Sequence, residues 1–374
     1  MPLHMLFRIL PALAIILSLT SVTPFPAQAQ KATIPGTQNE QMNDPQPLTR
    51  VGPNGEPMLV ARGRSVLIRP GLAGLYITDE GQPRVIADTR QEFILERGYN
   101  SLRIRPLSRD EQIMLPARDV IPDGRAGKGK RTIAEAWFIQ PTNRYDHGAL
   151  GDDIEAGALR IITKANKFAI ARLNDGSVFE GTQPLVGDVD GDGTEEVLVI
   201  NSNAQGGSAI HIYKVVPAAS PNIALEQMAV GPRMGRKNLW INPVGIGDFD
   251  LDGRPEILVV NTPHENGVLV AYQYRNGQLV EVDRYGGISN HAVGSPQTDM
   301  QLIQDITGDN RPDIIIPSAD RETLRILTMD AGKIKEIGVL QLPSPVKTNI
   351  LWVDNALTLG LEDNSVLSLS VFIQ

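Results

Sequence analysis

Three short acidic segments in the second half of the chain have the residue types and spacing of metal-binding loops. They span residues 188–196, 248–256 and 305–313, and their first acids lie 60 and then 57 residues apart. Calcium prefers oxygen ligands, and side chains at positions 1, 3 and 5 of a tight loop turn inward on one ion while position 7 offers its backbone carbonyl. A further acid stands at position 9 of each segment. The spacing therefore predicts one Ca²⁺ site in each segment.

The predicted ligands occupy positions 1, 3, 5, 7 and 9, with position 7 contributing only its carbonyl oxygen. In chain order they are Asp188, Asp190, Asp192, Thr194 and Glu196, then Asp248, Asp250, Asp252, Arg254 and Glu256, then Asp305, Thr307, Asp309, Arg311 and Asp313. The first two segments each gather four carboxylates, whereas the third has a threonine at position 3 and only three. Because ligand charge tunes calcium affinity, the third site is predicted to be the weakest.

Position 6 of each segment must turn sharply, and its residue type suits a positive φ. It is Gly193, Gly253 and Asn310, two glycines and a residue that tolerates the left-handed region. Position 12, where an EF-hand carries its bidentate Glu, is a β-branched apolar residue in all three segments. Each segment therefore leads into a strand. Asp, Asn and Gly also favour turns without any metal, so plain turns between strands are the alternative.

These segments resemble the calcium loops of the FG-GAP or VCBS repeat family, as found in the integrin α-subunit head. The resemblance covers roughly residues 184 to 374. It implies an all-β fold, a β-propeller in which each calcium loop joins the first and second strands of a blade. It implies a scaffold and no single activity.

The rest of the chain fits repeated four-stranded units. Apolar runs from Ser65 onward are short and separated by Gly, Pro, Asn or Asp, which indicates strands and turns. Clear repeats span residues 184–230, 239–283 and 300–341, and a degenerate unit spans 147–179. The last unit lacks one strand, so we expect an N-terminal strand near residues 65–69 to complete it, because a ring of blades must close its seam. The predicted architecture is a propeller of six or seven four-stranded blades.

The N-terminus predicts export. Arg8 precedes an apolar run, and Ala27-Gln28-Ala29 offers a cleavage point, so residues 1–29 are typical of a signal peptide. A retained membrane anchor is the alternative reading of this run. We expect a disordered linker over residues 30–60, a propeller over 61–374, and a monomeric protein without a membrane span in the periplasm or outside the cell.

Charge and composition exclude several classes of protein. The formal net charge is −8, which argues against nucleic acid as a partner, and the chain has no cysteine for disulfide or thiol chemistry. No nucleophile elbow is present, and the phosphate-loop match at residues 124–130 lacks the Ser or Thr that should follow it. The segment from Pro122 to Thr132 instead reads as a solvated basic loop.

Two functions stay open. The first is a binding module without catalysis, whose partner is a protein or an acidic glycan; the basic stretch from Arg233 to Trp240 is one candidate surface, on the face opposite the metal loops. The second is a polysaccharide-directed lyase or hydrolase on the same scaffold. Residues 144–147 could supply acid and base groups but favour a hydrogen-bonded turn, and His264 and His291 show no metal-ligand spacing. The prominent acids are explained by the metal loops, which favours binding.

Overall fold

The computed structural model of the chain describes residues 48–49, 59–69, 71–78, 80–98, 101–108, 120–218 and 222–373. Within these ranges every regular element is a β-strand, so the predicted all-β class is confirmed. No helix among the described residues is long and apolar enough to cross a membrane. The expected signal peptide lies outside these ranges, as does most of the expected linker. Residues 48–49 and 59–60 of that linker lie in strands.

Twenty-five strands follow one another in the described ranges. They are β1 (Leu48–Thr49), β2 (Leu59–Leu67), β3 (Leu72–Ile77), β4 (Pro83–Ala87), β5 (Glu92–Arg97), β6 (Leu102–Pro106), β7 (Gly127–Lys128), β8 (Ile133–Thr142), β9 (Glu155–Thr163), β10 (Phe168–Arg172), β11 (Val178–Gly187), β12 (Glu196–Asn203), β13 (Gly207–Pro217), β14 (Ile223–Val230), β15 (Ile241–Gly247), β16 (Glu256–Asn261), β17 (Val268–Arg275), β18 (Gln278–Gly286), β19 (Leu302–Gln304), β20 (Asp313–Pro317), β21 (Thr323–Asp330), β22 (Lys333–Gln341), β23 (Val346–Val353), β24 (Ala356–Leu361) and β25 (Ser365–Ile373).

Three sheets are four-stranded antiparallel meanders. They comprise β3 to β6, β15 to β18 and β19 to β22, each in chain order. The second and third coincide with predicted repeats, and short turns suffice to connect neighbouring antiparallel strands. In both, the acidic segment joins the first strand to the second, as the repeat pattern predicts.

The remaining predicted repeat and the degenerate unit share one eight-stranded sheet. Its order is β14, β13, β12, β11, β9, β8 and β7. β10 also pairs with β9, along the edge opposite β8. The two four-stranded halves meet through one residue pair, Phe179 opposite Ala156. The sequence treats the halves as separate units. They join here because the first residues of β11, which precede a bulge between Glu180 and Leu185, pair with β9.

The fifth sheet takes strands from both ends of the chain. Its order is β1, β2, β25, β24 and β23, and β2 pairs with β25 along residues 59–67 and 365–373. An N-terminal strand therefore completes the last unit as expected, although it begins and ends earlier than residues 65–69. A two-residue hairpin connects β23 to β24, with positive φ at both Asp354 and Asn355.

Hydrophobic side chains lie between sheets that follow one another in the chain. One buried cluster joins the two halves of the eight-stranded sheet, and a second joins its β11–β14 half to the β15–β18 sheet. A third connects the β15–β18 and β19–β22 sheets, and a fourth connects the latter to the terminal sheet. A fifth lies between the terminal sheet and β3 to β6. Val, Ile and Leu supply most of these contacts, as the low aromatic content of the chain requires.

Candidate functional site

The three acidic segments adopt the same hydrogen-bonded loop. In each, the position 1 carboxylate accepts the position 6 amide: Gly193 N to Asp188, Gly253 N to Asp248 and Asn310 N to Asp305, all at 2.9 Å. The position 5 carboxylate accepts the position 7 amide at 2.7, 2.8 and 2.9 Å in the three loops. Three sequences with different side chains at positions 2, 4 and 7 thus fold the backbone in one way.

Two positions of each loop have left-handed backbone. Position 6 was expected to, and its φ values are 90°, 86° and 67° for Gly193, Gly253 and Asn310. Position 4 does so as well, with φ of 78° at Gly191, 60° at Leu251 and 78° at Gly308. The sequence pattern missed this second position because a leucine stands there in the middle loop, and leucine rarely adopts positive φ.

The acid at position 9 is buried at the start of a strand in all three loops. Glu196, Glu256 and Asp313 are 3%, 0% and 0% exposed, and each accepts the position 2 backbone amide at 2.9 Å. Burial, with neighbouring loop aspartates adding to it, raises the pKa of Glu196 to about 7 and raises the pKa of Glu256 and of Asp313. None of these three acids forms an ion pair with any described residue. Buried carboxylates normally need a paired charge or a metal.

The loops differ in which carboxylates meet. Oxygens of Asp188, Asp190 and Asp192 lie within 4.8 Å of one another in the first loop. The second loop gathers Asp248, Asp250 and Glu256 in the same way.

The third loop brings no such trio together among the described residues. There the Thr307 hydroxyl donates to one oxygen of Asp313 at 3.0 Å, and the other oxygen, Oδ1, is buried with no hydrogen-bond partner. An unsatisfied buried carboxylate oxygen is costly unless a cation or water reaches it. The donor sets of all three loops, oxygens of carboxylates and carbonyls, fit Ca²⁺.

The stretch expected to be a solvated basic loop is attached to the first acidic loop. The carboxylate of Glu195 accepts the backbone amides of residues 130 to 133 at 2.6 to 3.0 Å. These amides lower the pKa of Glu195 despite its partial burial. Arg131 also pairs with Asp188 at 3.2 Å. Lys128, Lys130 and Arg131 are exposed, as expected of a solvated loop, but the backbone is held by Glu195, which lies 62 or more residues away in the chain.

Loops at the other ends of the strands surround a cavity of about 210 Å³. Its lining includes His147, Asn238, Trp240, His264 and Val293. The loop between β8 and β9 carries His147 and is held to two neighbours: the Tyr145 hydroxyl accepts the Asn238 amide at 3.0 Å, and Gly294 N donates to Ala149 O at 2.8 Å. Three of the five histidines thus converge here, because His291 lies directly behind His264.

Most side chains of the predicted basic surface from Arg233 to Trp240 contact other residues of the protein. Trp240 is buried at 1% exposure, and its ring packs against a tilted His264 and an edge-on His291 at centroid distances of 5.7 and 4.8 Å. The Arg233 guanidinium donates to the Asn201 and Gly207 carbonyls. Arg236 pairs with Glu265 at 3.3 Å, and Lys237 lies 5.8 Å from the Tyr145 ring. Arg233, Arg236 and Lys237 are nevertheless all exposed to solvent.

Comparisons with known proteins give the chain no family. No protein-family model matches it, and no curated protein matches it. Among solved structures, virginiamycin B lyase from Staphylococcus aureus is 12% identical over 83% of this chain and 100% of its own, with a TM-score of 0.33. The WD40 domain of Toxoplasma gondii coronin is 10% identical over 90% of this chain and 86% of that domain, with a TM-score of 0.39. Values this low say nothing about ligand or activity.

Proposed function

We propose that the protein is an exported β-propeller, stabilised by calcium, that binds a protein or a glycan without catalysis. The observation that carries the calcium role is the shared loop: three segments about 60 residues apart have one backbone geometry and one set of hydrogen bonds, and each ends in a buried acid. Turns that serve only to connect strands have no need of a buried acid. Ions held there would neutralise the clustered carboxylates and fix each loop to its strand.

A six-bladed ring is the architecture that best accommodates the sheets. The eight-stranded sheet consists of two four-stranded halves, which with the other four sheets makes six units. Five buried clusters link consecutive units, and the terminal sheet draws on both chain ends. In a ring closed by the pairing of β2 with β25, the edges of these strands would be protected.

Calcium dependence of thermal unfolding tests the proposal. For a dissociation constant near ~10⁻⁴ M and ~1 mM calcium, each occupied site would stabilise the fold by about 1.4 kcal/mol. We expect chelator to lower the melting temperature, and isothermal titration to resolve two tighter sites and one weaker one. Asp250→Ala should reduce the calcium effect more than Thr307→Ala. Superimposable melting curves in calcium and chelator would contradict the calcium role.

The signal peptide is tested separately. N-terminal sequencing of protein recovered from the periplasm or the medium should begin after residue 29. Retention of residues 1–29 in a membrane fraction would favour the anchor.

One observation favours an enzyme as the second candidate. Glu180, whose side chain is fully buried, is hydrogen-bonded to Nδ1 of His147 on the cavity wall. A carboxylate that orients an imidazole is a common arrangement for a general base. Release of new reducing ends from a panel of polysaccharides by the purified protein would establish catalysis, and retention without cleavage would support the binding module.

A further inference from the structure

Hydrogen bonds around the cavity determine which nitrogen of each histidine carries a proton. His291 Nε2 lies 2.7 Å from the carbonyl oxygen of Ser295, so it must donate, and its Nδ1 is left as an acceptor. His264 Nε2 lies 2.6 Å from that Nδ1 and therefore donates to it. The remaining nitrogen of His264, Nδ1, is left with a lone pair.

Burial keeps these two rings neutral. It lowers the pKa of His264 to about 4 and the pKa of His291 to about 3, with the neighbouring imidazole adding to the effect at His291. The hydrogen-bonded pair is therefore an acceptor at neutral pH, and the surroundings of His264 are not those of a cationic site.

His147 presents a second lone pair. Its Nδ1 donates to Glu180, which also accepts the Ser202 hydroxyl. Burial, followed by the charge of Glu180, raises the pKa of nearby Glu155 to about 9, so Glu155 is protonated at neutral pH. The His147 tautomer is then fixed with its proton on Nδ1, and Nε2 has no hydrogen-bond partner among the described residues.

Trp240 and Glu265 also line the cavity. Trp240 contributes only ring surface, because its Nε1 is shielded from solvent. The nearby Glu265 carboxylate is already paired with Arg236. At about 210 Å³ the cavity is smaller than the ~300–1,000 Å³ typical of drug-sized ligands. It has room for one small ring.

We propose that this cavity binds one uncharged, hydroxyl-rich ring, such as the terminal sugar of a glycan, whose hydroxyls donate to Nε2 of His147 and Nδ1 of His264. Two fixed acceptors on two of the loops that line the cavity select for a ligand with two donors. The inference rests on the proposed binding function and names its ligand class. It replaces the acidic glycan with a neutral one, because Arg236 beside the cavity is paired with Glu265 and the two histidines offer acceptors, to which a carboxylate cannot donate.

The test uses the full chain in calcium and a panel of glucose, galactose, mannose and N-acetylglucosamine, with glucuronate as the charged comparison. Binding is measured by saturation-transfer NMR and by the ¹⁵N shifts of the imidazoles. We expect at least one neutral sugar to bind in the millimolar range and to shift the His147 and His264 resonances. His264→Phe should weaken that binding by about tenfold, the effect of one hydrogen bond of about 1.4 kcal/mol. His264→Gln, which keeps an acceptor, should restore part of it.

His211→Phe is the matched control, because His211 lies in β13 away from the cavity lining. It should leave sugar binding within about twofold of the unchanged protein, well below the tenfold effect of one hydrogen bond. The inference is overturned if no neutral sugar binds at about 50 mM, if glucuronate alone binds, or if His264→Phe binds as well as the unchanged chain.

Melting curves of the same samples with and without calcium separate the two proposals. Sugar binding without a calcium effect would overturn only the calcium role. A calcium effect without sugar binding would overturn only the ligand class.

Discussion

If the first acidic loop binds calcium as proposed, removing one of its charges should raise stability in chelator and reduce the stabilisation by calcium. Asp190→Asn is the most suitable change, because Asp190 is exposed and its only hydrogen bond is accepted by Oδ1 from the Asp192 amide at 3.1 Å. Asparagine keeps that acceptor and removes the charge. The substitution therefore isolates electrostatics from loop geometry.

The magnitude follows from the carboxylate spacing. Oxygens of Asp188, Asp190 and Asp192 lie within 4.8 Å of one another, so each pair of charges repels by about 0.9 kcal/mol in bulk water and by about 3.5 kcal/mol at an effective dielectric of 20. Because Asp190 and Asp192 are exposed, the lower value applies. Loss of two such pairs, reduced by ionic screening, gives about 1 kcal/mol of stabilisation in chelator, or about 2 °C in melting temperature.

With calcium the effect reverses in sign, since the removed carboxylate is a predicted ligand. A tenfold weaker site loses about 1.4 kcal/mol of calcium-linked stability. Differential scanning calorimetry at pH 7.5 in low salt, in matched chelator and calcium buffers, measures both quantities. Asp363→Asn is the control, because Asp363 accepts the Ser365 amide in a similar turn outside the metal loops, and it should respond equally in both buffers. A lower melting temperature for Asp190→Asn in chelator, with an unchanged calcium shift, would refute the electrostatic reasoning.

Three further predictions concern single side chains. Thr307→Asp should tighten the third calcium site by about tenfold in isothermal titration, because it adds a carboxylate, and should lower stability in chelator, because Asp313 loses a hydroxyl donor. Leu251→Val should destabilise by about 1–2 kcal/mol in urea unfolding, since φ is 60° there, whereas Leu251→Gly should not. Glu155 holds a proton up to pH about 9 when folded but only to about 4.5 when unfolded, so stability should fall as pH rises through that window; Glu155→Gln should remove this slope in urea unfolding at pH 6 and pH 9.

The parts of the structure that were predictable from sequence depend on residues close together in the chain. Positions 1 to 9 of each acidic segment contain nearly all the groups that shape the loop, so its turn at Gly193, Gly253 and Asn310 follows from residue type. The strand after each loop and the Asp354-Asn355 hairpin are local in the same sense. Calcium binding, the ring and export stay predictions.

The parts that were missed depend on groups far apart in the chain. His147, His264 and His291 come from three different loops, and no spacing in the sequence indicates that they meet. Glu195 likewise accepts hydrogen bonds from the backbone amides of residues 130–133, which lie in the turn before β8 and at its first residue. Leu251 was missed for a different reason: the backbone of its loop is imposed by the surrounding hydrogen bonds, which overcome the unfavourable local preference of a leucine.

The pairing of β2 with β25 has a consequence for biosynthesis. β25 follows β2 in the chain by 22 other strands, so β2 lacks this partner until residues 365–373 have been synthesised. Any earlier intermediate has one sheet with a free edge, which slows completion of the fold and favours contact with chaperones. Deletion of residues 365–373 should leave β2 and β24 without the strand between them, and the exposed strand edges should make the product prone to aggregation.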